Sequence, residues 1–269
     1  MSFYHIVVCA GIVPDPLQTL EPISTPAGPG LKSEAMLPAV LDPWAAHALY
    51  EAANLAAHFS GSKVWLVSAA PKAKLQQVMM NVAQKSSFEL VPIDTSASGF
   101  ADAQAISEML AEAVQSIAGL DRARLLLFGG WESASRGAGV TMQLVGERLG
   151  ILDQFQGVDQ LTIQPDGSFE VLERIEGGRH MVSTCQGPPA LLGWATGSLP
   201  EPKNNPQVGM ANMRTVIPAL QKAKARTAPV GAAHYLSVTT PKQQRQTRLV
   251  KNLGPDEIAA ELFQWIAQD

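Results

Sequence analysis

Up to Gly150 the chain alternates two patterns. Residues 6–10, 64–68, 90–93 and 125–128 are short apolar runs bounded by turn residues, which predicts buried strands. Between them lie segments with apolar positions at helical spacing. Leu49, Ala52, Ala53, Ala56 and Phe59 share one face of a helix that Asp42 caps and Pro43 opens. Residues 75–83 and the Ala-rich 101–117 read as two more helices, and 142–149 as a fourth. Residues 11–38 are crowded with Pro and Gly and read as an irregular excursion or hairpin.

After Gly150 the grammar changes. Residues 160–164 alternate, Pro165-Asp166-Gly167 turns, and 169–175 is a strand. Glu176-Gly177-Gly178 turns again into 181–186, completing an antiparallel meander on which Asp166, Glu173 and Glu176 read as solvated acids. Residues 190–194 form one more apolar run, 198–205 a loop rich in Pro and Asn, and 216–223 a short helix. From 225 to 255 no periodicity survives and Lys and Arg outnumber acids, as expected of an arm lying on another subunit. Pro255, Asp256 and Glu257 then start a helix with Ile258, Leu262, Phe263 and Ile266 on one stripe.

These patterns predict an α/β fold: a mostly parallel nucleotide-binding sheet with helices on both faces, an antiparallel meander and a C-terminal arm. The division expected is a nucleotide-binding domain over 1–224, with the meander near 155–195, and an arm and helix over 225–269. In such sheets a ligand binds beyond the carboxyl ends of the strands, where strand order reverses. The strand exits at Ala10-Gly11, Ser68-Ala69 and Gly129-Gly130 therefore converge on one crevice.

Composition narrows the function. Of 269 residues, 46% are hydrophobic and only 16% charged, so some apolar surface is expected to be covered by a partner. The net charge of −4 argues against a binder of nucleic acid or anionic membrane. Cys9 and Cys185 lie too far apart in sequence for zinc spacing and read as small core residues. The first residues lack a basic region followed by a long apolar run, and no stretch approaches the ~20 apolar residues of a spanning helix, so a cytoplasmic protein is expected.

The densest chemistry is the stretch from Leu125 to Thr141, where an apolar run ends in Gly129-Gly130 and small residues, with one Arg, lead into a helix. The first N–H groups of a helix have no internal partners and suit an anion. Gly137, Gly139 and Thr141 are placed to bind a phosphate, although any α/β protein needs a tight turn here. Elsewhere the five histidines are scattered, and no nucleophile–base pair, Walker lysine loop or zinc-protease motif occurs. The chain reads as a nucleotide-binding fold without catalytic apparatus of its own.

The order of motifs resembles the β (small) subunit of electron-transfer flavoproteins over nearly the whole chain. The pieces are the opening strand and turn of 7–16, Leu41-Asp42-Pro43-Trp44, Val67-Ser68-Ala69-Ala70-Pro71, the glycine turn at Gly130, Glu176-Gly177-Gly178 and Pro200-Glu201-Pro202. The resemblance implies an adenine-nucleotide α-hydrolase-like sheet, an α (large) subunit holding most of an FAD, and an AMP in the small subunit. It further implies electrons arriving from a flavin dehydrogenase and leaving towards a quinone reductase or similar acceptor.

Carried over position by position, the resemblance implies a phosphate contact at Thr141 and an adenine-side position at Asp42, where the family usually has Asn. It puts Trp44 at an aromatic position close to the flavin, with a packed Trp at a helix start as the plain alternative. The family's loop carries acids where this chain has Ser135-Arg136-Gly137. Arg136 is thus either a direct phosphate partner or a solvated loop residue. The family's recognition loop for the dehydrogenase corresponds to 201–213, with Glu201, Gln207, Val208 and Met210 as candidates. The cofactor candidates are then Ala10, Asp42, Trp44, Ser68, Gly129, Gly130, Arg136, Gly137, Gly139 and Thr141. A second reading, a nucleotide-binding regulatory or sensor module without electron transfer, is favoured by the loss of the loop acids.

Overall fold

A computed structural model describes residues 3–25, 28–96, 100–228, 236, 237, 239 and 249–267. It divides into two compact units, 1–238 and 239–269.

The first unit opens with β1 (His5–Cys9), buried along its whole length as a central strand must be. The excursion that follows is ordered by pairing. Strand β2 (Ile12–Pro14) runs antiparallel to β5 (Ala39–Leu41), and β3 (Pro22–Thr25) and β4 (Gly28–Leu31) make a hairpin between them. Helix α1 (Pro43–His58) begins where Asp42 Oδ1 accepts the Trp44 N–H at 3.2 Å and Pro43 takes the first helical position. Then come β6 (Lys63–Ala70), α2 (Lys72–Val82), β7 (Glu89–Asp94), α3 (Ala103–Gln115), β8 (Leu125–Gly130) and α4 (Thr141–Arg148). The chain continues through β9 (Asp153–Ile163), β10 (Phe169–Ile175), β11 (Arg179–Cys185), β12 (Ala190–Trp194) and α5 (Pro206–Lys222).

Eight strands form one sheet in the order β11-β10-β9-β12-β8-β1-β6-β7. From β9 to β7 all neighbours are parallel, and only β10 and β11 add antiparallel pairs. The meander is thus continuous with the main sheet, because β12 returns to lie between β9 and β8. From β1 the chain steps outward to β6 and β7, then crosses back to β8 on the other side of β1. The strand order reverses between β1 and β8, and this decides where a ligand can enter.

Each face of the sheet has its own core. On one, Ile6, Val8, Leu66, Leu126 and Phe128 pack under Leu49 of α1, Leu75 of α2 and Val216 of α5. On the other, Val7, Cys9, Val67 and Leu127 pack under Met109 and Val114 of α3 and Val145 of α4. Cys9 and Cys185 are both free and buried, and burial pushes the Cys9 thiol up to about 12.

Two expectations change. Glu173 is not solvated: it is 8% exposed and accepts from the Gln156 N–H at 2.8 Å and the Ser183 hydroxyl at 2.5 Å. It shares the inward face of β10 with Phe169 and Val171, beside a register shift against β9. Asp166 and Glu176 are exposed. The C-terminal helix of the first unit starts ten residues before the expected 216. Asn205 caps it by accepting from the Gln207 and Val208 N–H groups, and Pro206 takes its first position.

At the free edge of β7, Ala225 makes an isolated parallel bridge with Asp94, whose carbonyl accepts the Arg226 N–H at 2.7 Å. Most of the remaining expected arm, at 229–235, 238 and 240–248, lies outside the described residues. The second unit, taken by itself, contains α6 (Pro255–Ile266), whose Leu262, Phe263 and Ile266 are 52%, 73% and 77% exposed. Among the described residues no helix is long and apolar enough to cross a membrane.

Candidate functional site

A cleft opens where the strand order reverses, above the carboxyl ends of β1 and β8. Its enclosed part holds about 130 Å³, and it is open at the mouth. Cys9, Ala10, Gly11, Ile12 and Val13 form one wall, and the loop between β8 and α4 forms the opposite wall. Ile106 and Leu110 of α3 and Met142 of α4 give it an apolar side.

Its polar groups converge from three elements. Arg136, on the β8–α4 loop, donates from Nη2 to Thr141 Oγ1 at 3.2 Å and from Nη1 to the Ala101 carbonyl. Thr141 is the first residue of α4, so its hydroxyl stands beside helix N–H groups that have no intrahelical partner. Because that oxygen accepts from Arg136, its own proton remains available as a donor. A guanidinium, a hydroxyl and a helix start thus meet at one point, an arrangement that takes a phosphate. Gly137 and Gly139 carry the loop through φ of 61° and 66°, backbone that other residues rarely adopt.

Asp42 closes the base of the cleft and is 2% exposed. Its Oδ2 accepts the Ala134 N–H at 2.8 Å, its Oδ1 accepts from Trp44, and its own N–H donates to the Gly11 carbonyl at 2.8 Å. One side chain therefore ties the start of α1 to the β8–α4 loop, and its backbone ties both to the exit of β1. Burial pushes the Asp42 carboxyl up to about 6 against the opposing pull of its backbone donors, with Glu132 adding to the rise.

Two glycines set the close approaches. A Cβ on Gly130 would stand 2.6 Å from the Trp44 Cβ and 2.8 Å from the Glu132 carbonyl oxygen, so α1 reaches β8 only over bare backbone. A Cβ on Gly129 would meet Met142 Sδ at 2.5 Å, so the start of α4 likewise lies directly on the strand.

Of the ten expected cofactor residues, Ala10, Asp42, Gly130, Arg136, Gly139 and Thr141 line the cleft. Gly129 and Gly137 shape its backbone. Trp44 stands over Gly130, edge-to-face with Trp131 at 6.4 Å between ring centroids. Ser68 is apart from the others. It shares the opposite sheet face with Leu66 and Ala70, fully buried, and its hydroxyl has no partner among the described residues; its neighbour Ala69 lines the cleft instead. Glu201 pairs with Lys85, while Gln207, Val208 and Met210 lie in the first turns of α5, with Met210 66% exposed. Sequence reasoning missed Trp131, Ser133, Ser135, Ile106 and Leu110. Trp131 follows the Gly129-Gly130 pair directly, and that position was its signal.

The sequence pattern of the electron transfer flavoprotein domain matches residues 33–233. The chain belongs to that family. No curated protein matches it. The match spans α1, the β8–α4 loop and the meander, so it includes the cleft except for the wall formed by residues 9–13. Proteins of this family bind a flavin and work with a partner subunit and dehydrogenases. In this chain Arg136 and Thr141 form a polar corner chemically suited to a phosphate, and the Trp44–Trp131 pair presents aromatic surface of the kind a flavin ring packs against.

Proposed function

We propose that this chain is the β (small) subunit of a heterodimeric FAD-containing electron transfer flavoprotein, and that it carries electrons without catalysing a reaction of its own. The FAD is shared and held mainly by the α (large) subunit, and Trp44 flanks its ring. The cleft takes AMP, with the phosphate on Arg136, Thr141 and the start of α4 and the base against Ile106 and Leu110. Electrons arrive from a flavin-dependent dehydrogenase that reads Glu201, Gln207, Val208 and Met210, and leave towards a quinone reductase or similar acceptor. Residues 239–269, with the apolar stripe of α6, dock on the large subunit.

The observation that carries this reading is the meeting of Arg136 and Thr141 at the helix start beside the switch point, in a chain most of which the family pattern covers. Nucleotide extraction from the purified complex tests it. One adenine nucleotide beyond the FAD is expected per complex, lost in Arg136→Ala and Thr141→Val while the flavin stays reducible. Full nucleotide occupancy in both variants would overturn the phosphate assignment.

A further inference from the structure

Trp131 has no role in the reading above, yet the backbone is shaped around it at several points. Its N–H donates to the Trp194 carbonyl at 3.0 Å, which fixes the residue to the end of β12. Its ring lies on Gly157, which sits where the pairing of β9 with β12 shifts register and has φ 66°. A Cβ on Gly157 would stand 3.3 Å from Trp131 Cε3. A Cβ on Gly139 would stand 3.1 Å from the Trp131 carbonyl oxygen. Gly130 clears the space under Trp44 in the same way.

These three glycines bring the two indoles together with an interplanar angle of 86°. An edge-to-face pair of this kind is attractive and fixes the tilt of both rings. The buried Nε1 of Trp131 has no acceptor among the described residues, so shape and the Trp44 contact hold the ring, not a hydrogen bond. Trp131 is only half-buried at the rim of the cleft, a poor place for a side chain whose sole task is core packing.

We propose that Trp131 is a positioning residue for the flavin: it holds the Trp44 indole at one tilt, so that the isoalloxazine packs against a rigid aromatic wall. The proposal rests on the reading that Trp44 flanks the flavin. An indole touching an isoalloxazine gives one electron to the photoexcited ring and takes it back, so fluorescence is quenched with no net chemistry. A fixed Trp44 produces one short lifetime. A loosened Trp44 samples several distances and adds longer components. The same looseness changes how the protein tunes the ground-state potential.

The experiment is time-resolved flavin fluorescence on the purified two-subunit complex, with flavin content and midpoint potential measured for each variant. Trp131→Leu is expected to lengthen the mean lifetime severalfold, broaden it and shift the potential. Trp131→Phe, which keeps an aromatic edge and removes the orphaned N–H, is expected to retain the wild-type lifetime. Trp44→Leu reports the contact itself. A longer lifetime in Trp44→Leu with none in Trp131→Leu would overturn the positioning role and leave the reading of Trp44 standing. An unchanged lifetime in Trp44→Leu would mean that Trp44 does not flank the flavin, and the proposal would fall with that reading. If Trp131→Leu does not assemble, Trp131→Met fills the seat without a ring and carries the same comparison.

Discussion

Asp42 makes the stability of this fold pH-dependent in a direction opposite to that of most carboxylates. Its carboxyl is buried and its proton affinity rises from 3.8 to about 6. At about 1.36 kcal/mol per tenfold change, that gap is worth about 3 kcal/mol. The folded state keeps a proton that the unfolded chain releases, so the contribution is fully present below pH 3.8 and is lost as pH rises through about 6. Asp42→Asn removes the titration and keeps one oxygen to accept from the Trp44 or Ala134 N–H. The assay is urea denaturation of both proteins at a series of pH values from 4 to 8. Subtracting the two curves cancels the other titrating groups, which the variant leaves in place. The stability of the wild type relative to the variant is expected to fall by about 2 kcal/mol across that range, the remainder of the ~3 kcal/mol lying below pH 4. A difference that is flat in pH, or that grows with pH, would show that the backbone donors outweigh burial and would refute the reasoning.

Three further outcomes follow from packing. Gly130→Ala places a Cβ against the Trp44 Cβ and a backbone oxygen, neither of which can swing away, so a loss of about 1–3 kcal/mol is expected by thermal or chemical melting. Asn212 Nδ2 donates to the Ala83 and Ser86 carbonyls at the end of α2, and Asn212→Leu, which strands both, is expected to cost about 1–3 kcal/mol by the same assay. Deleting 239–269 is expected to leave the first unit folded, with unchanged far-ultraviolet circular dichroism per residue of its own, and to release the large subunit on size-exclusion chromatography; a complex that survives the deletion would remove the docking role.

The parts of this fold that show in the sequence are those governed by local periodicity. Strands β10 and β12 fall at 169–175 and 190–194, because apolar residues there are flanked by turns. The cap and Pro at the start of α1 are equally local. The insertion of β12 between β9 and β8 is not, since pairing partners distant in sequence leave no mark on a hydropathy pattern. The start of α5 was hidden for a different reason. Its buried positions in the first turns are Gly209, against Gln84, and Asn212, which bonds backbone carbonyls, so no apolar stripe announces the helix. Glu173 was misread because a charged residue suggests solvent, although its alternation with Phe169 and Val171 placed it inward. In the candidate site the glycine loop, Arg136 and Thr141 were legible from composition and order. The Trp131 seat was not, because it depends on a bulge at Gly157 in another part of the chain.

The central claim, a flavin shared with a second subunit, is tested most directly by recovering the tagged chain from its native cell extract under mild conditions and recording its visible spectrum. Flavin bands together with a second, larger polypeptide are expected. A colourless single chain would contradict the account and leave a nucleotide-binding module that shares the family's fold without its electron transfer.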